Sequence, residues 1–483
     1  MYLGIDLGTS AVKTCIIAPE GTVVATTERA YPLQHPFEGA SEQSCEDWWQ
    51  ATCAAIGAHD PAMRRLIRGI GLSGQMHGAV LLDHHNRPLR PAILWNDSRA
   101  EAECTQLLSD EPSVGEITGV WPMAGFTAPK ILWLSRHEPR IHARIAHILL
   151  PKDFIGLQLH GERVTDPSDA AGTSWFDQRT GSWSQRMCEI SATSPEWLPQ
   201  IRFGTEIAGY LLPEVAELLG LDAGLPVSTG AGDAAAGAVG IGAVEQGDGF
   251  ISLGTSGQLF VTQDQYRPNV ESRIHAYAHT HAGYWFNMAA MLNGARPMAW
   301  LAELLDRPIV DLLEEAAASD PDNLLFLPYL SGERTPHGDT TLRAGFYGLS
   351  ETTSHGSLMR AVTEAIAFSF ADAAGALEQA GTSVETLLAI GGGTRSDLLM
   401  QTIADILNCQ IGRSDGSDIG PALGAARLAQ IASEACPMKE VARKPITRAW
   451  FEPQVSAMPR LSRKLAAYRA FYLGVREARS LLE

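Results

Sequence analysis

The chain has 483 residues, 45% of them hydrophobic, and a net charge of −18 from 37 basic and 55 acidic residues. One core rarely outgrows about 250–300 residues, so two lobes are expected, and the absence of a basic block argues against a nucleic-acid partner. Seven cysteines, an odd number with no C-x-x-C pair, exclude a disulfide framework and a zinc site and point to a cytoplasmic protein.

Residues 2–5 and 12–17 predict two strands joined by Gly8, Thr9 and Ser10, a hairpin signal. A third strand follows Gly21, and residues 47–55 predict a helix packed through Trp48 and Trp49. "IRGIGLSG" (67–74) reads as a short buried strand that ends in "QMHG". Residues 98–215 mix helices with Trp- and Pro-containing loops. Residues 226–230 read as a buried strand that feeds "AGDAAAGAVG". Residues 223–244 carry only Asp233 as a charge, yet their glycines and Pro226 make them strand, turn and tight helix, not a membrane span. No signal peptide is read at the start, where an acid already sits at Asp6. A second lobe opens near Gly247. Apolar positions at 358, 361, 362, 365 and 366 have helical spacing, with Ser357 placed to cap that helix. Residues 387–390 predict a strand ending in "GGG", residues 420–432 a helix started by Pro421 and lined with small residues, and the last stretch a basic helix. Mixed strands and helices make the fold class α/β.

One pattern recurs. "I-x-L-G-T-S" occupies Ile5–Ser10 and returns at Ile251–Ser256, with Asp6 in the first copy and Ser252 in the second. A tight glycine hairpin exposes backbone N–H groups that cradle phosphate oxygens. Thr9, Ser10, Thr255 and Ser256 add hydroxyls. Facing hairpins would hold one nucleotide between lobes. A single carboxylate then suffices for one Mg²⁺, which keeps several waters. No G-x-x-x-x-G-K-[ST] and no strand-borne G-x-G-x-x-G is present, so neither P-loop nor Rossmann binding is available.

Asp233 in "GAGDAAAG" is either a helix N-cap or a general base that takes a proton during phosphoryl transfer. The glycines of "IGGGTRS" (390–396) permit close approach to a flat ligand, or form a plain strand-to-helix turn. Gln75 and His77 could read polar groups, or His77 could be a satisfied core histidine. Asp97 and Arg99 could equally be a surface ion pair. "SGERTPH" (331–337) reads as a structural loop.

"MYLGIDLGTSAVK", "SGQMHGA", "RPAILWNDSR", "GFTAPKILWLSRHEP", "DPSDAAGTSW", "AGDAAAGAVG", "SLGTSG", "FLPYLSGERTPH", "IGGGTRSD" and "GPALGAARLAQIA" follow one another along nearly the whole chain. With these motifs it resembles the sugar kinases of the FGGY family. The resemblance implies an actin-like (ribonuclease H-like) duplicated fold of two α/β lobes with ATP in the cleft. Residues 1–243 would form the sugar-binding lobe and 244–483 the nucleotide-binding lobe, with a final helix over 455–483 packing back on the first. It implies ATP-dependent phosphorylation of a ketopentose, D-xylulose to D-xylulose 5-phosphate. Asp233 would be the catalytic base, and Asp6 would lie near Mg²⁺ and the phosphates. Gln75, Met76, His77 and Asp233 would meet the sugar. Gly8, Thr9, Ser10, Lys13, Thr255, Gly392, Gly393 and Ser396 would surround ATP. The implied partners are small molecules, with no nucleic acid and no membrane; a homodimer stays open. One departure stands out: the family usually follows the catalytic Asp with an amide, and here Ala234 stands there. That keeps a kinase for another ketose or a polyol as an alternative. A non-catalytic actin-like ATP switch is a third reading.

Overall fold

The computed structural model describes residues 1–319, 323–414 and 420–481. In the first half, β1 (Tyr2–Leu7), β2 (Ala11–Ile17) and β3 (Val23–Ala30) form an antiparallel meander, and β4 (Gly69–Gly74) joins β1 in parallel on its other side. β5 (Ile207–Tyr210) and β6 (Pro226–Ser228) extend the sheet, whose order is β5-β6-β4-β1-β2-β3, and β7 (Ala231–Gly232) also pairs with β4. α1 (Cys45–Gly57) is capped by Ser44 and buries Trp48. α2 (Pro151–His160) lies almost wholly buried, and α3 (Asp233–Ile241) closes the half.

The second half repeats the plan. β8 (Gly249–Leu253) and β9 (Gly257–Gln263) form the second hairpin. β10 (His275–Ala278) and β11 (Trp285–Met291) continue it antiparallel from β9, and β12 (Thr386–Ile390) joins β8 in parallel. β13 (Gln410–Ser414) and β14 (Thr447–Phe451) complete the order β10-β11-β9-β8-β12-β13-β14. Each hairpin therefore has an antiparallel neighbour on one side and a parallel strand on the other. This duplicated α/β plan is the actin-like fold.

The helix read from 358 begins earlier, as α4 (His355–Gln379). Ser354, not Ser357, caps it, accepting from Ser357 N at 3.0 Å. α5 (Asp397–Leu407) follows the glycine turn, and α6 (Gly420–Glu434) is the small-residue helix. α7 (Met458–Ser480) is the final helix.

The final helix corrects an expectation. α7 packs on the second lobe: Leu461 and Tyr468 are buried in that lobe's core, and the Tyr468 hydroxyl lies 2.6 Å from that of Tyr329. Lys464 meets Glu364 of α4 at 2.6 Å. The physical reason is a stripe of buried residues matched to α4 and not to the first sheet. Residues 482 and 483 lie outside the described ones.

The element that does return to the first lobe is α6. A Cβ added at Gly71 of β4 would lie 1.9 Å from Ala425 O, and one at Gly4 of β1 2.1 Å from Ala422 O. Only glycine on the strands and alanine on the helix allow that approach. α6 also crosses α3, where Arg427 donates to Val239 O at 2.9 Å and Gly240 O at 3.0 Å and so satisfies the end of α3. Beside this helix pair a third apolar cluster draws on both lobes, joining Met76, Phe126 and Val239 to Phe260, Tyr277 and Leu428. All seven cysteines are free. No described helix is long and apolar enough to cross a membrane.

Candidate active site

Strand register builds the floor of the site. Asp6 on β1 pairs with Ser73 of β4, and Ser73 pairs with Ala231 of β7. Asp233 follows β7 by one residue and opens α3. The cap position belongs to Gly232, and Asp233 makes no side-chain cap bond. The simple capping explanation for this acid therefore fails.

Asp6 is 8% exposed, and its Oδ1 has no hydrogen-bond partner. Burial first, and the charge of Asp233 second, raise its carboxyl to about 7; the Ser73 hydroxyl and Lys13 pull the other way. Lys13 stands directly across the hairpin from Asp6. Asp233 is exposed at the start of α3, yet the protein packed around its carboxyl withdraws it from bulk water. That enclosure lifts it to about 6 against the pull of the Ala234 N–H.

A buried support holds Asp233 from behind, and the sequence reading passed over it. Gly232 N donates to Ser168 Oγ at 3.1 Å, and Ser168 Oγ donates to Asp166 Oδ2 at 2.5 Å. Lys152 Nζ lies 3.1 Å from Asp166, 2.5 Å from Asp153 and 3.4 Å from Asp169, all of them buried. Burial alone would strip the Lys152 ammonium of its proton, but the three carboxylates outweigh it and hold the charge. Burial raises Asp169 well above the usual carboxylate range, with Lys152 opposing. The acids of "DPSDAAG" carried no spacing signal for this role.

Met76 packs against the residue that precedes Asp233, and His77 follows Met76 in the chain. A Cβ at Gly232 would come within 3.0 Å of Met76 Sδ. His77 adopts φ 69, and its Nδ1 donates to Gly172 O at 2.6 Å. Its ring lies 4.5 Å from that of Phe126. Burial pushes the imidazole down to about 3, so it is neutral at physiological pH. Lys130 Nζ (2.9 Å) and Thr127 Oγ1 (3.1 Å) both donate to the His77 carbonyl. Lys130, also unread in the sequence, fixes the left-handed turn that aims the ring.

Gln75 takes a different place. It is 2% exposed, accepts from Thr9 Oγ1 at 3.2 Å and donates to Gln43 Oε1 at 3.0 Å. Trp95 Nε1 donates to the same Thr9 hydroxyl at 2.9 Å. The Gln75 amide and the Thr9 hydroxyl therefore brace the first hairpin from within. Gly8 and Ser10 complete that bend, with Gly8 N bonded to Ala11 O at 3.0 Å. Asp97 and Arg99 prove buried: Arg99 meets Asp97 at 2.7 Å and Glu42 at 2.6 Å, a fold-holding cluster and not a surface pair.

In the second hairpin Gly254, Thr255 and Ser256 are all exposed. Gly294 N bonds to Thr255 O at 3.0 Å and Ala295 N to Gly254 O at 2.7 Å. The glycine turn packs under this bend: a Cβ at Gly393 would lie 3.0 Å from Leu253 Cβ, while Gly392 has open space. Ser396 is buried and caps α5, accepting from Leu399 N at 3.2 Å, so its hydroxyl is engaged.

The chain matches the FGGY family of carbohydrate kinases in both parts, the N-terminal domain over residues 1–240 and the C-terminal domain over 249–433. It is 44% identical to the xylulose kinase of Escherichia coli (strain K12) over 90% of each chain. It is 42% identical to that of Klebsiella pneumoniae over 89% of this chain and 90% of that one. Among solved structures, a Brucella ovis protein described as a xyloylose kinase superposes with TM-score 0.95 at 40% identity, covering 99% of both chains. A gluconate kinase from Lactobacillus acidophilus superposes with TM-score 0.92 at 26% identity, covering 98% of this chain and 97% of that one. The two matched domains, the duplicated hairpin and the aspartate that opens α3 make this chain a member of the FGGY family of carbohydrate kinases, an enzyme that phosphorylates a sugar.

Proposed function

We propose that the chain transfers the γ-phosphoryl group of ATP to O5 of D-xylulose, with Asp233 as general base. The observation that carries this reading is the setting of Asp233: exposed at the start of α3, lifted to about 6, and preceded by Gly232 packed on Met76. A base tuned toward the working pH combines ionisation with proton affinity. The relatives that are 44% and 42% identical, both xylulose kinases, support the choice of sugar. In the reaction the O5 proton passes to Asp233 as the new O–P bond forms. The old bond to the β-phosphate breaks, and its electron pair leaves on ADP. Residues 1–243 would serve the sugar and 244–483 the nucleotide, with α6 crossing between them. The backbone N–H groups of Ser10 and Thr255 and the cation of Lys13 would meet phosphate oxygens, with Gly8 allowing their close approach. Gly392 and Gly393 would floor the adenosine.

Asp6 suits Mg²⁺. Its Oδ1 is buried without a partner, and a second carboxylate lies nearby with too little positive charge to offset both. Among the described residues no three His, Cys, Asp or Glu side chains gather to bind a metal. That suits a cation held mainly by water and phosphate oxygens. When bound, Mg²⁺ would neutralise charge on the phosphates. Ala234, half-buried beside the base, favours a second reading in which another ketose or a polyol is the better substrate. ADP release over a panel of pentuloses, hexuloses and polyols tests both: D-xylulose ranks first on the main reading and falls below another sugar on the second.

A further inference from the structure

The loop over 331–337 carries an arginine that the mechanism above leaves unused. Glu333 fastens this loop to the end of β11. Its carboxylate accepts from Leu292 N (2.6 Å), Asn293 Nδ2 (3.2 Å) and Arg334 N (2.8 Å). Thr335 fastens the other flank. Its hydroxyl donates to Arg273 O at 2.9 Å and accepts from Ala290 N at 3.2 Å. These anchors give the loop two neighbours. Just past Asn293, Gly294 and Ala295 hold the carbonyls of Thr255 and Gly254 in the second hairpin. Two residues past Arg273, His275 begins β10, and its ring lies 6.1 Å from Phe126, the ring that packs on His77. Arg334 is thus fixed between the phosphate hairpin and the wall of the sugar site.

Its guanidinium is half-buried and has no hydrogen bond, ion pair or ring contact with any described residue. Its charge is felt by His77 and His275, whose imidazoles burial already holds neutral, and by the buried Tyr277 hydroxyl, which also has no partner. Burial disfavours that charge, opposed by the Tyr277 hydroxyl and by the Glu333 carboxylate, which is itself engaged by three N–H donors. An arginine whose guanidinium donors are unspent among the described residues, at the junction of two substrate sites, fits an anion that arrives with the substrates. In the proposed reaction the transferred phosphoryl group passes through that junction.

We propose that Arg334 binds the phosphoryl group as it crosses from ATP to the sugar hydroxyl. This rests on the phosphoryl-transfer reading above. As the O5–P bond forms and the bond to ADP breaks, negative charge spreads over the three equatorial oxygens. A guanidinium offers them two parallel donors, which a lysine cannot match.

The test compares wild type with Arg334→Gln and Arg334→Lys. Arg334→Gln should lose about 10²–10³-fold in kcat with its sugar and ATP KM values little changed, and Arg334→Lys should fall between. In the wild type, aluminium fluoride and sugar together should tighten ADP binding. Both variants should lose that tightening while binding ADP alone as before. A folded Arg334→Gln enzyme with wild-type kcat overturns the proposal. So does a variant that changes only the sugar KM. If Arg334→Gln does not fold, undiminished aluminium fluoride tightening in Arg334→Lys overturns it instead. A wild type that turns over no sugar at all is a distinct result, which overturns the phosphoryl-transfer reading itself.

Discussion

Asp6 of β1 and Asp233, which opens α3 just after β7, lie on either side of β4, and the charge of Asp233 makes Asp6 harder to ionise. Two carboxylates at the end of one sheet need a shared cation or a proton. In the proposed reaction that choice would link catalysis to both pH and Mg²⁺.

The pH dependence follows from the sign of these shifts. As the proposed base, Asp233 must be ionised to accept a proton, and it is lifted to about 6. Activity therefore falls as pH drops through about 6. Asp6, lifted to about 7, must also lose its proton to favour a cation. Raising Mg²⁺ from limiting to saturating should move the acid limb of kcat/KM to lower pH. A limb that ignores Mg²⁺ would separate Asp6 from the metal. Because the two acids interact, the measured values belong to the pair.

Asp6→Ala should raise the Mg²⁺ concentration needed for half-maximal turnover while leaving sugar binding in place. Titrating Mg²⁺ against both forms, with sugar affinity measured separately, checks this. Identical Mg²⁺ curves would remove Asp6 from the phosphate site.

Ala234→Asn places an amide beside the proposed base. A hydrogen bond made equally in ground and transition states lowers KM and leaves kcat alone. The expected gain is about 1 kcal/mol, or several-fold in the KM for D-xylulose. If D-xylulose use worsens while another sugar ranks first, the pocket is shaped for that other substrate.

Gly71→Ala should destabilise the fold without touching the site chemistry directly. The added Cβ would sit 1.9 Å from Ala425 O, backbone that cannot step aside. Overpacking of this kind costs about 1–3 kcal/mol and sometimes more. Denaturant unfolding followed by two probes measures it, and a change below about 0.5 kcal/mol would mean that α6 moves freely off the sheet.

Much of this architecture was legible because it is local or repeated. The second "I-x-L-G-T-S" announced a duplicated hairpin, and both copies form hairpins with the same neighbours. The small residues of α6 marked a helix, but not its partner, since Gly4 and Gly71 lie more than half a chain away. The final helix was placed on the wrong lobe for the same reason: its contacts with Tyr329 and Glu364 carry no signal in its own sequence. Ser396 and Gln75 were legible as polar groups near glycine turns. Whether a hydroxyl or amide faces a ligand or is spent on a cap or brace is settled only by packing. The Lys152 cluster was invisible because its members come from separate motifs and meet only in the buried interior.

The most direct test of the central claim is steady-state ADP release with D-xylulose and Mg²⁺-ATP, for wild type and Asp233→Ala. The wild type should turn over D-xylulose in preference to the other sugars of the panel. Asp233→Ala should bind ATP normally and lose about 10²–10⁴-fold in kcat, as loss of a general base does. Wild-type kcat in a folded Asp233→Ala enzyme would contradict the account.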